Sequence, residues 1–312
     1  MSEVNKNAGF TLVELLLTLG LSAFIMSTAY ILFASQQQTY AGQQAIVNSQ
    51  EVGRVATTLL RDRLRQAGGL GCSNWHAQLP FYNKTTALEE WVPQQAQDKV
   101  SGYHADNDQW SPVLPAYLTG RVRAGTDVLI IHQAYEQAAN LLQYMSHAQA
   151  PLFVPQDLNL QVNDVLMVAD CQQADMFKIS HLSQRGGQWV IDHQPPNNVS
   201  NQLSKAYTRT AQISVVQNAA YYVGDTGRRY LNDQPIYALY QFNGQHQELL
   251  EGVTGLRVWY GVDSNNDNAV DTIMETPPTA AQGVIHSVLV EIDTQIMHDN
   301  EHIWYLTATL RN

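Results

Sequence analysis

Between Phe10 and Ala34 the chain reads "FTLVELLLTLGLSAFIMSTAYILFA", a run with one charge in it, Glu14. As a helix, about 25 residues reach about 37 Å at about 1.5 Å per residue. That exceeds the roughly 30 Å of a bilayer's hydrocarbon core. The only basic side chain nearby is Lys6, ahead of the run, and the next charge after Glu14 is Glu51. The positive-inside rule therefore leaves the N-terminus in the cytoplasm and exports everything after Ala34. A cleaved secretory signal is the competing expectation, with "STA" (Ser27 to Ala29) or "FAS" (Phe33 to Ser35) as a small-residue cleavage site. Against it stand an apolar stretch longer than the usual signal core and a carboxylate near its start. About one turn into a span, a glutamate snorkels to the headgroups at less than the ~3 kcal/mol charged for the midplane. This explains how Glu14 is tolerated, not why it is there.

The chain of 312 residues is 45% hydrophobic and 14% charged, with a formal net charge of -11. It is long enough to bury a substantial core. Residues 1–66 hold five basic and four acidic groups, so the remainder carries 12 basic against 24 acidic side chains. A head this acidic repels phosphate backbones, which disfavours sequence-independent nucleic-acid binding. The two cysteines, Cys72 and Cys171, suit either free core thiols or, in an oxidising compartment, one disulfide. Closing a loop of about 100 residues is worth up to roughly 4–5 kcal/mol in the chain-entropy model.

No proline occurs before Pro80, so the helix is free to continue past the membrane. In "SQQQTYAGQQAIVNSQEVGRVATTLLRDRLRQAGG", Val52, Val55, Ala56, Leu59 and Leu64 fall at roughly helical spacing. Gly42 and Gly53 each cost about 1 kcal/mol relative to alanine and suggest bends, and "GGLG" at Gly68 to Gly71 is a stop signal. One helix of about 55 residues, roughly 80 Å long, is predicted. From residue 73 to 120 the sequence reads as loop with short elements. Beyond Gly125, short apolar runs recur between turn signals: "DVLIIH", "DVLMVADC", "MFKISHL", "QWVIDH", "QISVVQ", "IYALYQF", "LRVWYGV", "HSVLVEID" and "IWYLTATL". "RGGQ" and "FNGQ" are hairpin-type turns. Without helical patterns between these runs, antiparallel sheet is expected rather than a doubly wound α/β fold.

"G-F-T-L-V-E" ahead of a membrane-length run resembles the class III signal of type IV pilins and pseudopilins. The resemblance implies cleavage between Gly9 and Phe10 by a prepilin peptidase and methylation of the new terminal Phe10. It implies that Glu14 pairs with the cationic N-terminus of a neighbouring subunit during assembly, and a partnered carboxylate is one that membranes retain. "RQAGGLGC", "GTDVLII", "VNDVLMVADC", "LLEGVTGLRVWYGVD" and "LTATLRN" are similar, in order, to the PilW type of minor pilin. The similarity comes in islands over most of the chain; residues 73–120 and the "YTRT" to "GDTGRR" stretch lie outside it. It implies a disulfide between Cys72 and Cys171. It also implies a periplasmic head that starts a pilus with other minor pilins and stays at its tip.

Two stretches invite metal chemistry. "DSNNDNAVD" places oxygen ligands at Asp263, Asn265, Asp267 and Asp271, with the Ala269 carbonyl between the last two, like the first part of an EF-hand loop. It lacks the loop's glycine, Asn268 standing there, and has Met274 where the final glutamate belongs. An Asx-rich hairpin turn without metal is the alternative. "HDNEH" (His298 to His302) fits the H-x-x-E-H pattern of inverted zinc peptidases. That chemistry needs both histidines on one helical face, whereas strand-like residues flank this one and make it a turn. The chain has no G-x-S-x-G elbow, phosphate loop or C-x-x-C.

The expectation is an α+β fold: a leader (1–9), a transmembrane and assembly helix (10–34), its periplasmic half (35–67) and a β-rich antiparallel head (68–312). The expected role is non-enzymatic, a minor pilin of a Gram-negative bacterium, first in the inner membrane and then in the pilus. Its expected partners are other minor pilins, the major pilin and the prepilin peptidase, with no nucleic acid. Calcium at Asp263, Asn265, Asp267, Ala269 and Asp271 is the one cofactor considered. A minor pseudopilin of type II secretion, or a secreted calcium-binding or hydrolytic protein, are the alternatives.

Overall fold

The computed structural model describes residues 11–70, 73–74, 80–86, 99–170, 172–230, 232–265, 267, 269–279, 281–297 and 300–310. Helix α1 (Leu12–Gln66) is continuous over 55 residues. Thr11 caps its start: the Glu14 amide donates to Thr11 Oγ1 while the Thr11 amide donates back to the Glu14 carboxylate, the reciprocal capping box. At the other end Gly68 takes φ +68°, where a side chain would meet the Lys99 stem, and its amide donates to the His132 carbonyl at 2.9 Å. The predicted stop is therefore also a tether to the head.

Along the chain, β1 (Gly69–Leu70) and β2 (Ser73–Asn74) pair with each other, and β3 (Phe81–Asn83), β4 (Val100–Asp106), β5 (Gln109–Ser111) and β6 (Val128–Asn140) follow. Next come β7 (Leu152–Pro155), β8 (Val165–Ala169), β9 (Ala174–Lys178), β10 (His181–Arg185) and β11 (Gln188–Asp192). The third group is β12 (Gln212–Arg229), β13 (Pro235–Phe242), β14 (His246–Glu251), β15 (Val253–Asp263), β16 (Thr272–Met274), β17 (Val284–Met297) and β18 (Asn300–Thr309).

Nine strands form the large sheet, in the order β3-β9-β8-β12-β6-β4-β5, with β13 and β14 continuing from β12. The 18 residues of β12 carry two partners in succession on one side, β8 along Gln212–Val215 and β13 from Ala220 onward, while β6 holds the other side. Only β3 with β9 is parallel among the described pairs. A three-stranded sheet, β10-β11-β7, closes a second core around Phe177, Tyr207 and Ile213. The β10–β11 turn is Gly186–Gly187, φ +61° and +73°, the conformation that suits a two-residue hairpin.

The C-terminal sheet runs β16-β15-β17-β18, all antiparallel. Alternation along β15, β17 and β18 sends Val258, Tyr260, Val290, Ile292 and Leu306 inward to meet Ala56, Leu60 and Leu64 of α1 and Leu129, Ile131 and Tyr221 of the large sheet. Period 3.6 on the helix and period 2 on the strands thus share one core. An α+β fold of this kind, a long helix on antiparallel sheet, is what the sequence predicts.

Three local expectations change. "MFKISHL" is two strands, β9 and β10, separated at Ile179–Ser180. The stretch before residue 120 holds a seven-residue strand, β4, in the large sheet. Gly53 marks no interruption of α1: a Cβ there would lie 2.1 Å from Trp304 Cε2 and Nε1, so glycine lets the helix and β18 touch.

Candidate functional site

The N-terminal segment has two unlike halves. From Leu12 to Phe33 the large apolar side chains, Leu12, Phe24, Ile31 and Phe33 among them, are exposed. The stretch is long and apolar enough to cross a membrane, and none of it is buried against the head. The core helix of a soluble protein would be covered, and this one is not. Burial on α1 begins at Ser49 and returns at Gly53, Ala56, Thr57, Leu60 and Leu64.

Where the halves meet, a polar lock joins helix to sheet. Trp304 Nε1 donates to Thr294 Oγ1 at 3.1 Å, Thr294 donates to the His302 carbonyl at 3.2 Å, and Ser49 Oγ meets Thr294 Oγ1 at 2.8 Å. The Thr294 proton is committed to the carbonyl, so Ser49 is the donor in the last bond. This polar chain is buried at Ser49 and Thr294.

At the exposed end, the amide and the hydroxyl of Thr11 both donate to Glu14 Oε2, at 3.0 and 3.1 Å. Neither of these bonds uses Oε1. The carboxylate stands at the positive end of the helix dipole, where negative charge is stabilised, one turn from the point at which Phe10 would become terminal. Gly9 and Phe10 themselves lie outside the described residues, as do Cys72 and Cys171.

The Asp263 loop links β15 to β16. Its side chains form consecutive Asx turns: Asn265 N–H donates to Asp263 Oδ1 (3.2 Å), Asp267 N–H to Asn265 Oδ1 (2.8 Å) and Ala269 N–H to Asp267 Oδ1 (2.8 Å). Asp271 accepts from the Ser264 amide and hydroxyl, which holds its carboxyl below the usual range. The Asn265 amide nitrogen sits 3.2 Å from Asp267 Oδ2 and 3.4 Å from Asp271 Oδ1. Two carboxylates therefore converge on one donor, and among the described residues no group of three or more His, Cys, Asp or Glu is placed to hold a metal ion. The loop also satisfies its own polar groups without one, as an Asx turn does.

His302 lies on β18, in register with Thr294 of β17, and His298 lies outside the described residues. His302 is therefore on a strand and not on the helical face that the zinc-peptidase pattern needs.

Sequence inspection overlooked Asp127. Its amide donates to Leu256 O, Oδ1 accepts from Ala105 N–H and Oδ2 from Val258 N–H, each at 2.8 Å. One carboxylate thereby ties β4 of the large sheet to β15 of the C-terminal sheet. Burial pushes its carboxyl up, against those two amides and the nearby His104 and Arg257. His104 Nδ1 is 3.2 Å from Asp127 and its Nε2 3.6 Å from Glu275, at the mouth of a cleft of about 240 Å³. Only the apolar neighbours in "TDVLII" hinted that Asp127 is buried.

Residues 4–30 match the prokaryotic N-terminal methylation motif. The match supports a class III prepilin leader and a type IV pilin- or pseudopilin-like protein, structural rather than enzymatic. It implies processing by a prepilin peptidase and assembly with other pilins, on a chain anchored in the membrane. No curated protein and no solved structure matches the chain.

Proposed function

We propose that this chain is a minor pilin of the PilW type, which helps start a type IV pilus and stays at or near its tip. One observation carries the proposal: the methylation motif runs directly into a 55-residue helix whose apolar half is bare and whose other half is locked to a β head. A bare apolar half needs lipid first and the helices of neighbouring subunits afterwards. On this proposal, cleavage after Gly9 frees Phe10 for methylation, Glu14 meets the amine of a neighbouring subunit, and the head folds in the periplasm with Cys72 bonded to Cys171. N-terminal sequencing of the mature protein tests it. A methylated Phe10 is expected; a start near Tyr30 or Gln36 defeats it. Loss of pili in a deletion strain separates a minor pilin from a pseudopilin, whose loss stops protein secretion instead.

Calcium in the Asp263 loop belongs to the same proposal, on the convergence of Asp267 and Asp271. Calcium at 100 times its Kd raises stability by about 2.7 kcal/mol. Asp263→Ala with Asp267→Ala is expected to abolish that rise in melting temperature, and a wild-type protein that melts identically with calcium and with chelator removes the metal.

A further inference from the structure

Among the described residues, the edges of the three larger sheets are guarded, with one exception. The path of the large sheet ends on β3 and β5, three residues each, and its branch ends on β14, whose Glu248 and Glu251 are bonded to Arg228. The small sheet ends on β7, four residues finishing in Pro155, and on β10, whose last residue is Arg185. The C-terminal sheet ends on three-residue β16 at one side and on ten-residue β18 at the other. Short strands, charges and prolines are how native sheets blunt their edges. From Ile303 to Thr309, "IWYLTAT", β18 has none of these.

Its register shows what that edge offers. Leu310 N–H donates to His286 O at 2.9 Å. Stepping back by two along the antiparallel ladder, Ala308, Leu306 and Trp304 also face β17, opposite Val288, Val290 and Ile292. Ile303, Tyr305 and Thr307 therefore aim N–H and C=O away from the sheet. Among the described residues, no backbone bond outside the ladders falls on them. Ile303 and Tyr305 are 49% and 60% exposed on the outer face. Glu291 and Asp293 stand opposite them on β17 and Glu301 precedes them. Asp293 leans over Gly255 of β15, away from this edge, so Glu291 and Glu301 are the acids that border it.

We propose that the outer edge of β18 receives an extended segment of a different pilin-class subunit, which adds a fifth strand to the C-terminal sheet. The segment is apolar or β-branched at alternate positions, with a lysine or arginine placed against Glu301 and Glu291. A second copy of β18 does not fit. It carries Glu301 and no Lys or Arg, and continuing an antiparallel sheet across two copies takes a two-fold perpendicular to the sheet. Because α1 lies along that sheet, the same two-fold reverses it and sends the two membrane halves in opposite directions. This last step rests on the pilin-type role of α1.

The test uses the full chain in detergent micelles, with the other prepilin-type subunits of the producing cell purified and added one at a time. Hydrogen exchange over residues 301–309 is followed. One subunit is expected to slow the amides of Ile303, Tyr305 and Thr307 by about tenfold or more, in the alternate pattern of strand pairing. Thr307→Pro removes one outward N–H and no ladder bond; it is expected to abolish that protection, as is Tyr305→Lys, which guards the edge without touching the backbone. If no subunit protects these amides, or both variants pair as the wild type does, the proposal is wrong. Protection that grows with the protein's own concentration overturns the choice of partner. The pilin reading is scored separately, by the N-terminus of the same sample: a methylated Phe10 beside an unprotected β18 sinks the strand proposal alone.

Discussion

Gly53→Ala is expected to destabilise the head by about 1–3 kcal/mol, although alanine is the better helix former by about 1 kcal/mol. The added Cβ would lie 2.1 Å from Trp304 Cε2 and Nε1 and 2.5 Å from Cδ2. These are atoms of a fused ring, which cannot fold aside as the tip of a flexible side chain would. The ring is also held by its Nε1 bond to Thr294, which in turn holds Ser49. Making room means moving the indole and stretching that chain, or lifting the helix off Leu306 and Val290. Overpacking therefore outweighs propensity. Thermal unfolding of the full chain in micelles measures it, at about 2–4 °C of melting temperature per kcal/mol for a head of this size. The double variant Gly53→Ala with Trp304→Ala is expected to lose less than the two single losses combined, since the clash is gone in its background. A Gly53→Ala protein as stable as wild type would mean that helix and sheet do not approach here as closely as described.

The same glycine shows where sequence runs out. In isolation Gly53 reads as a weak point in a helix; its cause is Trp304, on the last strand. The end of α1 was legible, since the stop signal at Gly68 is local; the Thr11–Glu14 capping box at its start was equally local and was not read. Most strands of the two cores were legible too, because β6, β8, β13, β15 and β17 each contain a short apolar run between turn signals. β4 was not, since "VSGYHAD" buries little more than Val100, Gly102 and Tyr103 and turns His104 toward a polar cleft. The end of β12 escaped for a related reason: "GDTGRR" is exposed at the rim of the sheet, and pairing with β13 rather than burial makes it a strand. Asp127 belongs with Gly53. Its partners Ala105 and Val258 are distant in sequence, and nothing local says that one carboxylate will join two sheets.

Glu14 is where a local role and the proposed intersubunit role overlap, and the capping box supplies a way to separate them. In the single chain the carboxylate bonds Thr11, a job that glutamine performs as well, because the box needs an acceptor at that position and not a charge. Pairing with a neighbouring Phe10 amine needs the charge. In the apolar interior of a bundle of helices, a cation left without its carboxylate is penalised far more than a frayed cap. Glu14→Gln is therefore expected to keep the helix start, be cleaved after Gly9 and still fail to enter or prime fibres, and Glu14→Ala is expected to fail likewise. The losses differ in kind: a missing cap costs about 1 kcal/mol, while removing one member of a buried ion pair costs about 3–5 kcal/mol, a factor of roughly 150 to 5,000 in an assembly equilibrium. Piliation and mature-protein immunoblots of the two strains decide. If Glu14→Gln assembles normally and Glu14→Ala does not, the carboxylate is a helix cap and the ion pair falls. If both assemble, Glu14 has neither role.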